Sequence, residues 1–315
     1  RKLEEAMRKG TSPILLSIAR IFQSIPPFLL SWIEFSLPKK KSDFYPIIFI
    51  IALPRSGSTV TYQLLNRGTK SLYLSNLWNL LYALPYIGSR YVKSVSKNRI
   101  FKSDKGLVSG LSGESEGMRF WSYWMGQGLL EKKNIVPKKR VKYIKSVFSS
   151  LLSKQNPLIS GYLGHAFSVS FLRENFPGSI FVYLKRDELS NVYSMIKTYN
   201  EFKEHRKEFN WMSLKPIGWE GKLEEDVVDK VLWQYKSIKQ KIESEISEED
   251  TIIVNYEDIC NNPHNFLKKI KEFANEHEID LKLYLENIPD TLHLSKINRD
   301  KDEIAKQISQ LLNEK

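Results

Sequence analysis

Pro46-Ile47-Ile48-Phe49-Ile50-Ile51-Ala52-Leu53, continued by Pro54-Arg55-Ser56-Gly57-Ser58-Thr59, is the stretch from which the fold can be read. Its first half is an unbroken apolar run rich in β-branched residues, with no polar alternation. That pattern predicts a strand buried on both faces, as in the middle of a parallel sheet. The second half predicts a tight turn. Val60, Leu64 and Leu65 then recur at helical spacing, which predicts a helix from near Thr59. A turn that opens a helix leaves backbone N–H groups without intrahelical partners, and the helix dipole favours negative charge beside them. Gly57 lets the backbone approach a ligand closely. Ser58 and Thr59 add hydroxyl donors, and Arg55 adds a permanent charge able to fork onto an anionic oxygen. Arg55, Ser56, Gly57, Ser58 and Thr59 therefore read as an anion cradle; an ordinary Gly/Ser turn between strand and helix is the alternative.

Further along, Leu158 to Leu163 predicts a second buried strand, and a helix from about Phe167 to Asn175 stops at the breaker pair Pro177-Gly178. Ser179 to Leu184 predicts a third strand, closed by Arg186-Asp187 and followed by a helix from Leu189 to about Tyr199. A long helix is expected over Glu224 to Glu245, then a fourth strand over Thr251 to Tyr256 and a helix from Pro263 to Phe273. Buried strands alternating with helices indicate an α/β fold of P-loop-like, three-layer type, with a central parallel sheet flanked by helices. Ligands bind at the carboxyl ends of such strands. Residues 1–42 are expected to form an apolar helical lead-in, and residues 43–315 a single α/β domain. Arg20, Pro26-Pro27 and Glu34 break the apolar stretch Ile14 to Leu37 into two short helices, too interrupted to span a bilayer. They suit packing on the domain or lying along a membrane surface.

The chain of 315 residues is 42% hydrophobic and 12% aromatic, enough to bury a core. Its formal net charge of +12 suits an anionic partner such as a nucleotide, a polyanion or a membrane surface, although lysine runs such as Lys39-Lys40-Lys41 also read as solvated surface. Nucleic acid is not the expected partner. A single cysteine, Cys260, excludes an internal disulfide framework and makes a cysteine zinc site implausible. No carboxylate or histidine cluster has metal-ligand spacing, so no metal is expected. The lone cysteine and the lack of a signal segment in the given chain lean towards a cytoplasmic location, with peripheral membrane contact in view of the apolar lead-in.

Proline followed by Arg-Ser-Gly-Ser-Thr after a buried strand resembles the phosphosulfate-binding loop of the PAPS-dependent sulfotransferases (PAPS is 3′-phosphoadenosine 5′-phosphosulfate). It is similar to the variant with Arg, rather than Lys, after the proline, as in bacterial and Golgi-like members. It is not a Walker A loop, which needs a second glycine and a Lys-Ser/Thr pair. Two further matches support the resemblance. Arg186 ends the third strand, with Ser194 eight residues on, where the family holds the 3′-phosphate. Val254-Asn255-Tyr256-Glu257-Asp258-Ile259, then Asn262-Pro263, is similar to a Tyr-Glu-Asp segment common in the family. Arg186-Asp187 read alone would be a helix-capping pair.

The resemblance covers roughly residues 46 to 300 and implies a donor, PAPS, a product, PAP, and sulfuryl transfer to a hydroxyl or amine. It implies donor contacts from Arg55, Ser56, Gly57, Ser58, Thr59, Arg186, Ser194 and Tyr256, and more weakly from Ser295 and Arg299. It places a catalytic Glu between the first two strands, where Glu116 stands among Phe120, Trp121, Tyr123 and Trp124. Desolvation by those rings would raise its pKa, and the rings would also suit stacking on a sugar. Alternatively Glu114 and Glu116 are first-turn carboxylates of a helix with a core aromatic face. His165 is the second candidate base, with a structural histidine as its alternative, and Arg55 is a candidate for the leaving-group charge. One departure stands out: the family commonly ends its second strand with a Lys, and that place falls on Gly161 here. Lys185 neighbours Arg186 but alternates to the other face of its strand. The acceptor suggested by the aromatic segments is a carbohydrate or glycolipid. Two other readings remain: a P-loop kinase-like phosphotransferase, whose Walker lysine and magnesium carboxylates are not visible, and a non-catalytic nucleotide-binding homologue.

Overall fold

The computed structural model describes residues 25–27, 29, 30, 34, 44–92, 108, 110–206, 208–294 and 302–313. At its centre lies β1 (Ile47–Ala52), whose six side chains are all buried. β1 pairs in parallel with β3 (Leu158–Ser160) on one side and β4 (Ile180–Lys185) on the other. β2 (Leu72–Tyr73) extends the sheet beyond β3, and β5 (Thr251–Asn255) extends it beyond β4. The order is β2-β3-β1-β4-β5, all parallel. A parallel strand buried on both faces needs a cover on each. One set of helices joins α1 (Ser58–Gly68), which packs on β1 and β3, to α10 (Pro263–Glu276). The other joins α7 (Glu188–His205) to α8 (Val227–Glu245) and α11 (Glu303–Asn313), with α6 (Val169–Asn175) against α8.

Phe49 is the hub of the core, stacking on Phe181 at 5.6 Å and meeting Trp121 and His165 edge-on at 5.8 and 5.0 Å. Each large side chain buried at this level contributes roughly 2–3 kcal/mol. The expected second strand is shorter than its apolar run. Only Leu158–Ser160 pairs, because Gly161 and Tyr162 lead into a 3-10 turn over Leu163–Phe167. The His165 N–H bonds to the Tyr162 carbonyl at 3.0 Å, and the Ser160 hydroxyl meets His165 Nε2 at 2.8 Å, folding the chain back over the strand end.

Among the described residues, four helices lie between β2 and β3: α2 (Asn76–Leu80), α3 (Pro85–Val92), α4 (Met118–Met125) and α5 (Lys138–Leu151). The short α9 (Tyr256–Asn261) follows β5 without a break. Among the described residues, no helix is long and apolar enough to cross a membrane. Most of the expected lead-in, residues 1–42, lies outside the described residues.

Candidate functional site

The strand registers set the site. Ala52 pairs with Leu184, and Lys185 with Asn255, so the next residues along β4 and β5, Arg186 and Tyr256, emerge level with the turn after β1. That turn is held by its own backbone and by a neighbour. The Ser56 hydroxyl donates to the Leu53 carbonyl at 2.8 Å, and the Ser56 N–H reaches the same oxygen at 3.4 Å. Asn191 of α7 donates to the Pro54 carbonyl at 2.7 Å. Two successive left-handed kinks, Arg55 at φ 63° and Gly57 at φ 96°, turn the chain into α1. A Cβ on Gly57 would lie 2.2 Å from the Tyr256 ring, so glycine is needed for space as well as for φ.

Three predicted donor residues converge on this turn. Arg186 donates from its terminal nitrogen to the Arg55 carbonyl at 2.7 Å and lies over the Tyr256 ring, 5.2 Å from its centroid. Its Nε is buried with no hydrogen-bond partner among the described residues, a donor directed at nothing in the protein. Ser194 sits two turns along α7, where its hydroxyl accepts from Arg55 Nε at 3.5 Å. Desolvation, then the nearby Arg186 guanidinium, lowers the Arg55 pKa from its ordinary value. Two like-charged groups with an unused donor are an arrangement that could hold an anion. Ser58 is buried and Thr59 half-buried at the first turn of α1. Asp187 is the N-cap of α7, accepting from the Ser190 N–H at 2.9 Å, while its own N–H donates to Glu257 at 3.1 Å. The pair divides its labour: Asp187 caps, and Arg186 faces the turn. Ser295 and Arg299 lie outside the described residues.

Glu116 is positioned by a short antiparallel zipper. Ser75 bridges Glu114, the Ser115 N–H donates to the Leu74 carbonyl at 2.8 Å, and the Asn76 N–H to the Gly113 carbonyl at 3.0 Å. Arg67 of α1 closes onto Glu114 at 3.1 Å as an ion pair whose two side chains are 5% and 1% exposed. Gly117 then turns left-handed, and α4 begins one residue later. Glu116 is left half-buried just ahead of this helix. Desolvation pushes its pKa from 4.5 up to about 7, partly opposed by the Leu163 N–H that bonds to it. Tyr162 is its neighbour: burial and then the Glu116 charge raise its pKa. The Tyr162 hydroxyl is buried and has no hydrogen-bond partner among the described residues. Neither Tyr162 nor Asn191 was singled out by the sequence, and no motif marks either.

His165 is fully buried and edge-on to Phe49, Trp121 and Tyr162. Its Nδ1 faces Gln127 Oε1 at 3.0 Å and its Nε2 faces the Ser160 hydroxyl, so both ring nitrogens are engaged. Burial depresses its pKa to about 3. Phe120, Trp121 and Trp124 are likewise fully buried, and only Tyr123 of that segment is half-exposed, so the three large rings are core rather than a stacking surface. At Gly161 a Cβ would lie 2.9 Å from Tyr62 Cγ, leaving no space for a lysine side chain. Lys185 pairs with Glu243 of α8 at 3.1 Å, on the side away from the turn. No group of three metal-ligating side chains occurs among the described residues.

A family model described as "Sulfotransferase family" matches residues 46–279, the span that carries the turn, Glu116, Arg186 and Tyr256. The chain belongs to the sulfotransferase family. Similar solved structures include sulfotransferase STF9 from Mycobacterium avium (14% identity, 76% of this chain and 67% of that one, TM-score 0.48). Sulfotransferase STF1 from Mycobacterium tuberculosis H37Rv is also similar (14% identity, 90% and 76%, TM-score 0.47). A third is a sulfotransferase domain from the curacin biosynthetic pathway (17% identity, 86% and 98%, TM-score 0.41). No curated protein matched.

Proposed function

We propose that this sulfotransferase uses PAPS as donor and transfers its sulfuryl group to a hydroxyl or amine. The observation that carries the reading is the convergence of Arg186, with its unused buried Nε, Arg55 and Ser194 on the turn after β1. Arg186 and Ser194 fit a terminal phosphate dianion, and Tyr256 closes the cradle from below Gly57. The N–H groups at the start of α1 are left for the donor's other end, the phosphosulfate. Bound there, the donor supplies a sulfuryl group on a good phosphate leaving group.

The protein's own part is positioning and charge. Glu116 is the proposed base: with a pKa near 7 it is about half ionised at neutral pH, and its carboxylate form is basic enough to take the acceptor's proton. The Leu163 N–H holds its carboxylate, and the neighbouring Tyr162 hydroxyl is available to the acceptor oxygen. Arg55 takes the leaving-group charge, since the Gly161 position has no room for a lysine. His165 is assigned to the core, because its two nitrogens are engaged and it is uncharged at working pH.

The Gly161 position also favours a second reading, a nucleotide-binding homologue without turnover. Calorimetric titration with PAP, with 5′-AMP and Mg-ATP as controls, tests the donor site. PAP should bind at least tenfold tighter than 5′-AMP, and Arg186→Ala should remove most of that preference. Equal affinity for the two would refute the 3′-phosphate assignment, and tight PAP binding without transfer to any acceptor would favour the second reading.

A further inference from the structure

α4 has two working faces. Phe120, Trp121 and Trp124 point into the core, whereas Arg119, Ser122 and Tyr123 share the opposite face at helical spacing. That outer face forms one wall of a cavity of about 640 Å³. Leu80 and Leu81 at the end of α2 and Leu30 of the N-terminal segment supply apolar walls. Arg140 of α5 lines the same space, stacked 3.9 Å from the centroid of the Tyr123 ring and donating to the Tyr123 carbonyl at 3.1 Å. Trp124 Nε1 donates to the Tyr82 carbonyl at 2.6 Å, which ties the connector after α2 to α4. The volume lies in the range of sites for small molecules, about 300–1,000 Å³.

The lining selects the ligand. It contains two guanidinium groups and no carboxylate, and among the described residues neither guanidinium is in an ion pair. A sugar would stack on an open aromatic face; of the two rings in the lining, Tyr82 and Tyr123, which meet edge-on at 5.5 Å, Arg140 covers one face of Tyr123, and the three larger rings of α4 are fully buried. An apolar-walled cavity with two unpaired cations fits a molecule with a hydrocarbon body and an anionic head. Glu116 lies just ahead of the Gly117 N-cap of α4, so the proposed base and the cavity wall are three residues apart in the chain, at Glu116 and Arg119.

We propose that this cavity binds an anionic amphiphile, a carboxylate- or phosphate-headed hydrocarbon, as the acceptor side of the transfer, the nucleophile being a hydroxyl or amine carried elsewhere on the same molecule, whose proton goes to the base as the S–O bond to the donor's phosphate breaks; the acceptor role rests on the function proposed above, and the binding itself does not. The head pairs with Arg119 and Arg140, and the chain lies along Leu30, Leu80 and Leu81.

Calorimetry with dodecanoate and dodecyl phosphate tests this, each below its micelle concentration, against dodecyltrimethylammonium and inorganic phosphate. Both anionic amphiphiles should bind at least tenfold tighter than either control. Arg119→Gln should weaken them about tenfold or more, because a hydrogen bond to a charged group is lost. Ser122→Trp should abolish binding by filling the space. Equal binding of the cationic homologue, or indifference to both substitutions, would overturn the proposal, and equal binding of inorganic phosphate would reduce the cavity to a simple anion site. PAP titrated into each variant reports whether the fold and donor site survive. Amphiphile binding that fails while PAP still binds overturns this inference alone. PAP binding that fails while the amphiphile binds overturns the donor reading and, with it, the acceptor role. Both ligands should bind together; mutual exclusion would also refute the acceptor role.

Discussion

Replacing Glu116 with Gln should make the protein more stable and nearly inactive. The carboxyl group ionises at about 7 in the folded chain and near 4.5 when solvated, because its surroundings disfavour the charge. Between those values the native state holds a proton that the unfolded chain has released. Stability from this group is therefore complete below about pH 4.5, falls as the pH rises through 7, and is flat above. The displacement corresponds to at most about 3 kcal/mol, and partial solvent access reduces it towards 2. Gln keeps the shape and can still accept from the Leu163 N–H, but carries no charge to desolvate. At pH 8 the variant should thus exceed the parent by roughly 2–3 kcal/mol, a shift of about 1 M in the urea midpoint. At pH 4.5 the two should differ far less. Sulfuryl transfer should fall by about 10²–10⁴-fold, and the parent's kcat/KM should rise with pH to a plateau above about 7. A Gln variant less stable than the parent at pH 8, or one whose stability keeps the parent's pH dependence from 5 to 8, would refute the argument.

Glu114, two residues away, should behave in the opposite way. Glu114→Ala removes the buried carboxylate paired with Arg67, costing up to about 3–5 kcal/mol in urea denaturation, with PAP affinity in the surviving folded fraction little changed. Gly57→Ala should lose PAP binding and about 2–4 kcal/mol of stability. Adding Tyr256→Ala frees the space but not the φ of 96°, so only part of the stability should return. Arg55→Gly relieves a left-handed non-glycine residue and should gain up to about 1 kcal/mol in thermal unfolding while transfer slows sharply.

What the sequence discloses here depends on how local each cause is. β1, β4 and β5 and their following helices are legible because continuous apolar runs, Pro177-Gly178 and Pro263 act within a few residues. β2 is not, since two residues carry no period and are a strand only through their partners on β3. Within the site, the turn after β1 and Arg186 with Ser194 are visible as residue types at fixed spacing. The tyrosine beside Glu116 is not, because Tyr162 arrives from a strand end more than forty residues away. The aromatic density at 120–124 suggested a stacking surface. Helical spacing separates Phe120 and Trp124 from Arg119 and Tyr123, so the period held the answer that composition concealed. For His165, only the three-dimensional neighbours, Gln127 and Ser160, decide between base and core.

The Arg67–Glu114 pair joins the helix that opens with the donor turn to the segment that presents Glu116. Because both side chains are buried, this brace stands before any ligand arrives. On the function proposed above, the turn after β1 and Glu116 are thus parts of a frame already assembled, which neither substrate has to enter first to build. Random addition through a ternary complex is then the expected kinetic pattern, and product inhibition that demands one compulsory order would refute it.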